Sequence, residues 1–326
     1  MVAGVAGCVS VPASIRHPGE RVMGKHRSKI VVAATLALSL LAAGPVAADG
    51  PPPPQVPGMV ITESTMGFEE TWEALYSAID SNPNIGIAAV VDHAANADGA
   101  GLDLAPNREI FFGNPNIGTP LMQLAPTAGL DLPLKMLVWE DGGGVFVGYN
   151  SMDYLAARHG LESPILMNVA GALRGLAGAA TAAEVDDTVH GMERYQNKSW
   201  LVTLRSADDF ATTLDRLFSA IDASPANVAF TVDHAANGAS VGLDLPPNTL
   251  VVFGNPNLGT PLMQAAPSSG IDLPLKILVW DDAEGNTHVT YTDLRHLDQR
   301  HHFQGQTALT KTIDGAIRSF AAAAAG

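Results

Sequence analysis

Apolar residues recur at helical spacing at Phe68, Trp72, Leu75, Tyr76 and Ile79, and the same spacing returns at Phe210, Leu214, Leu217, Phe218 and Ile221. Positions three and four apart share one helix face, so each set predicts a helix with one buried stripe. A strand is expected before each helix, at 59–65 and 199–204. After each helix the period changes to two: Ile87, Ala89 and Val91 alternate, as do Val228, Phe230 and Val232, which predicts strands buried on one side. Residues 101–104 and 109–112 read as the next two strands, and 134–139 pairs with 145–149 around the glycine-rich turn 142–144. A final helical stretch begins near Asp153, breaks near Pro164 and runs to about Ala183. Its apolar face is Leu166, Val169, Leu173, Leu176 and Ala180, with Arg174 turned away, so it reads as an amphipathic helix and not a membrane span.

The tight connections among the strands predict an α+β domain of order strand, helix, four strands, helix, with one antiparallel sheet and helices on one face. The strand 134–139 adds a condition. Leu134, Met136 and Val138 point one way while Lys135, Leu137 and Trp139 point the other, so both faces carry apolar bulk. Helices cover one face; the other is expected to form a ligand groove or to be buried against a second domain.

That second domain is in the chain. Val91-Asp92-His93-Ala94-Ala95-Asn96 returns 141 residues later as Val232-Asp233-His234-Ala235-Ala236-Asn237. The register holds through Phe112-Gly113-Asn114-Pro115 and Phe253-Gly254-Asn255-Pro256, and through Asp131-Leu132-Pro133-Leu134-Lys135 and Asp272-Leu273-Pro274-Leu275-Lys276. About two thirds of roughly fifty paired positions are identical, which marks a tandem duplication. The expected boundaries are 59–183 for the first repeat, 184–198 for a linker and 199–326 for the second repeat.

Ahead of the repeats, Lys25, His26, Arg27 and Lys29 precede an apolar run from Ile30 to Gly44 and the small-residue site Val46-Ala47-Ala48. These are the three parts of a secretory signal peptide, expected at 23–48 and cleaved after Ala48, which predicts a periplasmic or extracellular protein. Residues 1–22 fit no targeting pattern, so the expected start is Met23. Residues 49–58 begin Asp49-Gly50-Pro51-Pro52-Pro53-Pro54 and read as a proline-rich spacer. The single cysteine, Cys8, lies before the leader, so the mature chain has no disulfide and no thiolate metal site. Net charge is −15, and removing 1–48 leaves 13 basic and 32 acidic residues, or −19. Such a chain repels phosphate backbones and anionic lipid, which argues against nucleic acid or a membrane face as a partner. The partners expected are a small molecule and the sister repeat, with homo-oligomers left open.

The Asp-His-Ala-Ala-Asn segment, the Phe-Gly-Asn-Pro-x-x-Gly-Thr-Pro-Leu-Met segment, the Asp-Leu-Pro-Leu-Lys strand with its Trp, and the Tyr-Leu-Ala-x-Arg-His ending at His159 together resemble the family called domain of unknown function 302. The resemblance covers both repeats. It implies a compact domain similar to the TATA-box-binding-protein-like fold and single-copy members that tend to pair, and it implies no activity. The duplication and the leader depart from the common single-domain form, and in the second copy the ending becomes Leu297-Asp298-Gln299-Arg300-His301. DNA binding by a member of that fold does not transfer, because fold does not carry function.

Several residues are candidates for chemistry. Asp92-His93 and Asp233-His234 each close a strand, where a histidine suits a general base or a metal ligand. The competing role is structural, with the aspartate capping the next turn and the histidine bonded in an interface. Adjacent strand residues face opposite ways, so neither pair forms a simple dyad. In the segment from Asn114 through Gly118 and Thr119, Thr119 is expected as an N-cap with Pro120 at the first helical position. That arrangement presents backbone N–H groups to an anion or forms a rigid turn; Asn255, Gly259 and Thr260 repeat it. Lys135 with Trp139, and Lys276 with Trp280, share a strand face and suit an acidic or aromatic ligand, unless the lysines only lay their stems on apolar surface. His159 and His301 are metal candidates together with His93 and His234, although HxxxH and HExxH spacings are absent and no cofactor can be named. His288, His296 and His302 occur only in the second copy and read as solvated surface. Three readings follow: an exported binding module built as an intramolecular pseudo-dimer, an acid–base enzyme using the Asp-His segments, and a metal-binding protein using paired histidines.

Overall fold

A computed structural model describes residues 53–195 and 199–326; the expected leader, the segment before it and the first residues of the spacer lie outside the described residues. The first repeat contains strands β1 (Met59–Glu63), β2 (Gly86–Asp92), β3 (Asn107–Gly113), β4 (Leu134–Asp141) and β5 (Gly144–Asn150). They form one antiparallel sheet of order β1-β5-β4-β3-β2. Helices α1 (Phe68–Asp80) and α5 (Ile165–Thr181) pack together across one face, while α2 (His93–Gly99), α3 (Pro115–Leu124) and α4 (Met152–His159) fill the connections. The second repeat runs the same course, with β6 (Leu201–Arg205), β7 (Asn227–Asp233), β8 (Asn248–Gly254), β9 (Leu275–Asp281) and β10 (Thr287–Thr292) in the order β6-β10-β9-β8-β7. Its helices are α6 (Phe210–Asp222), α7 (His234–Ser240), α8 (Pro256–Ala265), α9 (Leu294–His301) and α10 (Thr307–Ala325).

The α+β class, the antiparallel sheets and the duplication therefore stand. One expected strand does not: residues 101–104 lack regular structure, because α2 ends at Gly99 and Gly101 takes a left-handed turn with φ 73° into β3. Four strands then follow α1, as the overall order requires.

The helix-covered face of each sheet is core. Phe68, Trp72, Leu75 and Ile79 of α1 meet Ile110, Met136, Val138 and Val147 of the sheet and Val169 and Leu173 of α5. Burying side chains of this size stabilises by roughly 1.5–3 kcal/mol each.

The opposite sheet face is buried against the sister repeat. A 3-10 segment at Pro126–Leu130 inserts Leu130 among Val232, Leu250, Val252 and Leu278, and its counterpart Pro267–Asp272 inserts Ile271 against Leu137 and Trp139. Phe111 meets Phe230 edge to face at 4.9 Å. Polar contacts cross in matched pairs. Asn107 Nδ2 donates to Pro267 O at 2.8 Å and Asn248 Nδ2 to Pro126 O at 3.1 Å, while Gln123 and Gln264 each donate across to a backbone carbonyl at 2.6 Å. The repeats thus form an intramolecular pseudo-dimer with approximate two-fold exchange.

Two glycines are required by this approach. A Cβ at Gly129 would stand 2.6 Å from Asn248 Oδ1, and one at Gly270 would stand 2.5 Å from Asn107 Oδ1.

Candidate functional site

The Asp-His segments are divided between two tasks. Asp92 accepts from Ala95 N at 2.9 Å and Asp233 from Ala236 N at 2.8 Å, so each is the N-cap of the short helix that follows its strand. Asp92 also receives Arg108 Nε at 2.9 Å. The histidines turn inward to the repeat interface, where His234 Nε2 bonds Gly129 O at 3.0 Å, while His93 Nε2 has no aligned partner. Burial lowers both imidazoles to about 4, so they are neutral at pH 7. Aspartate and histidine therefore do not converge as an acid–base pair in either copy.

The second motif is capped one turn earlier than its threonine suggests. Asn114 accepts from Asn116 N at 2.9 Å and Pro115 takes the first helical position, leaving Pro120 inside α3; Asn255 and Pro256 do the same for α8. Asparagine before proline satisfies the rule for a helix start before the chain reaches Thr119. Thr119 and Thr260 are instead buried, and neither hydroxyl has a partner.

Lys135, Trp139 and Lys276 lie in the repeat interface, so no open groove exists at these side chains. Lys135 Nζ donates to Ile271 O of the sister repeat and stands 3.1 Å from Glu109 Oε1. Trp280 is partly buried and donates its Nε1 to Thr290 at 2.9 Å, with His288 stacked on it at 4.5 Å.

Around the lysines the interface holds a charge network that local patterning did not single out. Asp131 Oδ2 accepts from Arg158 Nε at 2.9 Å and His159 Nε2 at 2.8 Å, and its Oδ1 lies 3.9 Å from Lys276 Nζ. Asp272 Oδ2 accepts from Arg300 Nη1 and His301 Nε2, both at 2.8 Å. The arginines then reach across the pseudo-two-fold. Arg158 donates to Thr292 at 3.0 Å and Ser199 O at 3.2 Å; Arg300 donates to Asn150 at 2.6 Å and Pro57 O at 2.9 Å.

Burial would push the two aspartates up, but the arginine and histidine beside each hold them well below the usual carboxylate range. Burial lowers His159 and His301, against the pull of their aspartates, so each donates Nε2–H as a neutral ring. The metal candidates are thereby separated. His159 and His301 each sit on their own aspartate, His93 and His234 lie elsewhere in the interface, and no group of three His, Cys, Asp or Glu among the described residues could hold a metal.

Three departures from the symmetry bear on the chemistry of this region. Glu109 is fully buried, with no aligned hydrogen bond, and Leu250 stands at its position in the second copy. Burial raises Glu109 to about 7 against the pull of Lys135, while burial and the nearby Lys135 lower Lys276 to about 7. Tyr154 faces its counterpart His296, Oη to Nε2, at 3.0 Å. His296 is therefore not solvated surface: at 2% exposure it is sandwiched with Tyr154 and Trp200, because helix α9 turns it into the interface.

The third difference is a cavity of about 480 Å³ in the first repeat, between α3, α5 and the edge of the sheet. Phe112, Leu121, Met122, Leu134, Leu166 and Leu173 are among its walls, and His234 and Asn237 of the second repeat contribute to it. Of the residues selected from sequence, Asn114, Gly118, Thr119 and His234 line this space. Two of the corresponding side chains of the second repeat are larger. Leu161 and Leu176 line the cavity, whereas Phe303 and Phe320 occupy the matching positions and are buried in the second core, Phe320 edge to face with Phe253 at 5.5 Å. The match for Leu176 is fixed by equivalent bonds at the helix ends, Thr65 N to Thr181 O and Ala207 N to Ala325 O.

Fold and interface define a duplicated α+β domain closed face to face on itself. The chain belongs to the family described as domain of unknown function DUF302, whose model matches residues 60–180 and 202–320. Among curated proteins it is 38% identical over 135 residues to the "Fluoride-specific ion channel FluC 1" of Brucella suis biovar 1 (strain 1330), covering 41% of this chain and 53% of that protein. It matches the "Fluoride-specific ion channel FluC 2" of Brucella melitensis biotype 1 with the same identity and span, covering 50% of that protein. The chain spans about half the length of these relatives. Among solved structures it is similar to the uncharacterized conserved protein DUF302 from Bacillus stearothermophilus, with 19% identity and a TM-score of 0.32, over 38% of this chain and 96% of that one. No helix among the described residues is long and apolar enough to cross a membrane.

Proposed function

We propose that the protein is a binding module that takes one small, mainly apolar molecule in the cavity of its first repeat, with the second repeat serving as a covalent partner that completes the wall. The observation that carries this reading is the difference between the copies: one scaffold, built twice, keeps about 480 Å³ of apolar space where the other places Phe303 and Phe320. A volume of that size lies within the roughly 300–1,000 Å³ range of small-molecule sites. The acid–base reading has less support, because Asp92 and Asp233 are helix caps and the buried lysines and carboxylates are closed off by the sister repeat. Export belongs to this reading on the strength of the leader at 23–48, and N-terminal sequencing of exported protein should begin at Asp49.

The test is titration with N-phenyl-1-naphthylamine, an uncharged dye that fluoresces in apolar surroundings. The expected result is saturable binding of one dye per chain, lost in the double variant Leu161→Phe, Leu176→Phe while the circular dichroism spectrum is unchanged. The second repeat already accommodates phenylalanine at both positions, so the variant is expected to fold. Equal dye binding by parent and variant overturns the proposal.

A further inference from the structure

We infer that the ligand of this cavity is an uncharged, largely hydrocarbon molecule, and that the site rejects carboxylates and amines of the same length. The inference rests on the reading of the cavity as a ligand site and specifies what that site accepts.

No lysine, arginine, aspartate or glutamate lines the cavity; its side chains with hydrogen-bonding groups are Asn114, Thr119, Asn168, His234 and Asn237. Two of these are already committed, Asn114 as the N-cap of α3 and His234 through Nε2 to Gly129 O. His234 does not supply a cation, since burial holds it neutral. The buried cations nearby are occupied: Arg158 is bound to Asp131, and Lys135 to Ile271 O beside Glu109. An ionised ligand would leave water without meeting a counter-charge, which costs more than its apolar tail recovers. The chain's net charge of −15 further disfavours anions at a distance.

Thr119 does not change this picture: it is 0% exposed, so its hydroxyl is out of reach of a guest. The remaining polar side chains of the lining, Asn168 and Asn237, are uncharged amides. The cavity holds on the order of fifteen water volumes at about 30 Å³ each, which suits a guest of about that many non-hydrogen atoms.

The experiment is displacement of bound N-phenyl-1-naphthylamine from the full chain at pH 7.5 by 1-dodecanol, dodecanoate and dodecylammonium. Dodecanol is expected to displace the dye at a concentration at least about tenfold below either ion. Should either ion compete as well as the alcohol, the inference falls and the cavity reading stands. Should the dye fail to bind, or no member of the series displace it, both fall together.

Discussion

Glu109 is the residue whose chemistry departs furthest from its surroundings in sequence. It occupies a strand position flanked by Arg108 and Ile110, and it is fully buried because the sister repeat closes over the face on which it stands. Burial raises its carboxyl from an ordinary 4.5 to about 7, so between those values the folded chain keeps a proton that the unfolded chain has released. The stability this gives is complete below 4.5 and is lost as pH rises through 7. Glutamine stays neutral throughout, so Glu109→Gln is expected to gain stability relative to the parent between pH 5 and pH 8, on the order of 2–3 kcal/mol. Urea unfolding of both proteins at the two pH values measures it, and a difference independent of pH would show that Lys135 keeps the carboxylate ionised. His93 and His234 work in the opposite direction. Their folded values of about 4 lie below the ordinary 6.5, so their contribution is present above 6.5 and declines as pH falls toward 4.

At the scale of elements, the two 3-10 segments decide whether the sheets can close on each other. Each presents a glycine where the opposing asparagine side chain, Asn107 or Asn248, passes within a distance that no Cβ tolerates. Gly270→Ala is therefore expected to destabilise by about 1–3 kcal/mol, the usual penalty for overpacking, although Gly270 is not among the residues with positive φ. Thermal unfolding measures this, and Gly99→Ala, where the added Cβ meets nothing within 4 Å, is the control.

These elements also separate what the sequence reveals from what it conceals. The apolar stripes of α1 and α6 and the two-sided strand 134–139 are local periodicities, and both the buried helix face and the covered second sheet face follow from them. The helix start at Asn114 was misplaced because Asn-Pro and Thr-Pro both satisfy the capping rule and only the first is used. The charge network joins residues as far apart as Pro57 and Arg300, a separation that no periodicity encodes. A signal was nonetheless present. Asp131 and Asp272, with Arg158-His159 and Arg300-His301, are kept in both copies, but retention alone does not distinguish a folding contact from a site. The cavity was hidden for another reason: pairing Leu176 with Phe320 requires a two-residue shift in the connection before α5 and α10, so the register that aligns the motifs misaligns these helices.

At the scale of the molecule, the interface buries apolar side chains of both sheets together with a set of charged groups. Its ions do not balance evenly between the halves: Lys135, Arg158, Asp131 and Glu109 come from the first, and Lys276, Arg300 and Asp272 from the second. Two first repeats facing each other would bring four cations and four carboxylates together. Two second repeats would bring four cations and only two carboxylates, with Leu250 where Glu109 would stand. Uncompensated buried charge costs several kcal/mol even after relaxation, so the two hypothetical homodimers should differ sharply. Expressed separately, residues 53–195 are expected to self-associate through the face that carries Leu137 and Trp139. Residues 199–326 are expected to remain weakly associated or partly unfolded near neutral pH, and to improve at higher pH as Lys276, already lowered to about 7, gives up its proton. Sedimentation of each piece at pH 7 and pH 9 decides the matter. Equal dimerisation of both at pH 7 would show that apolar burial, and not charge balance, governs the pairing of the halves.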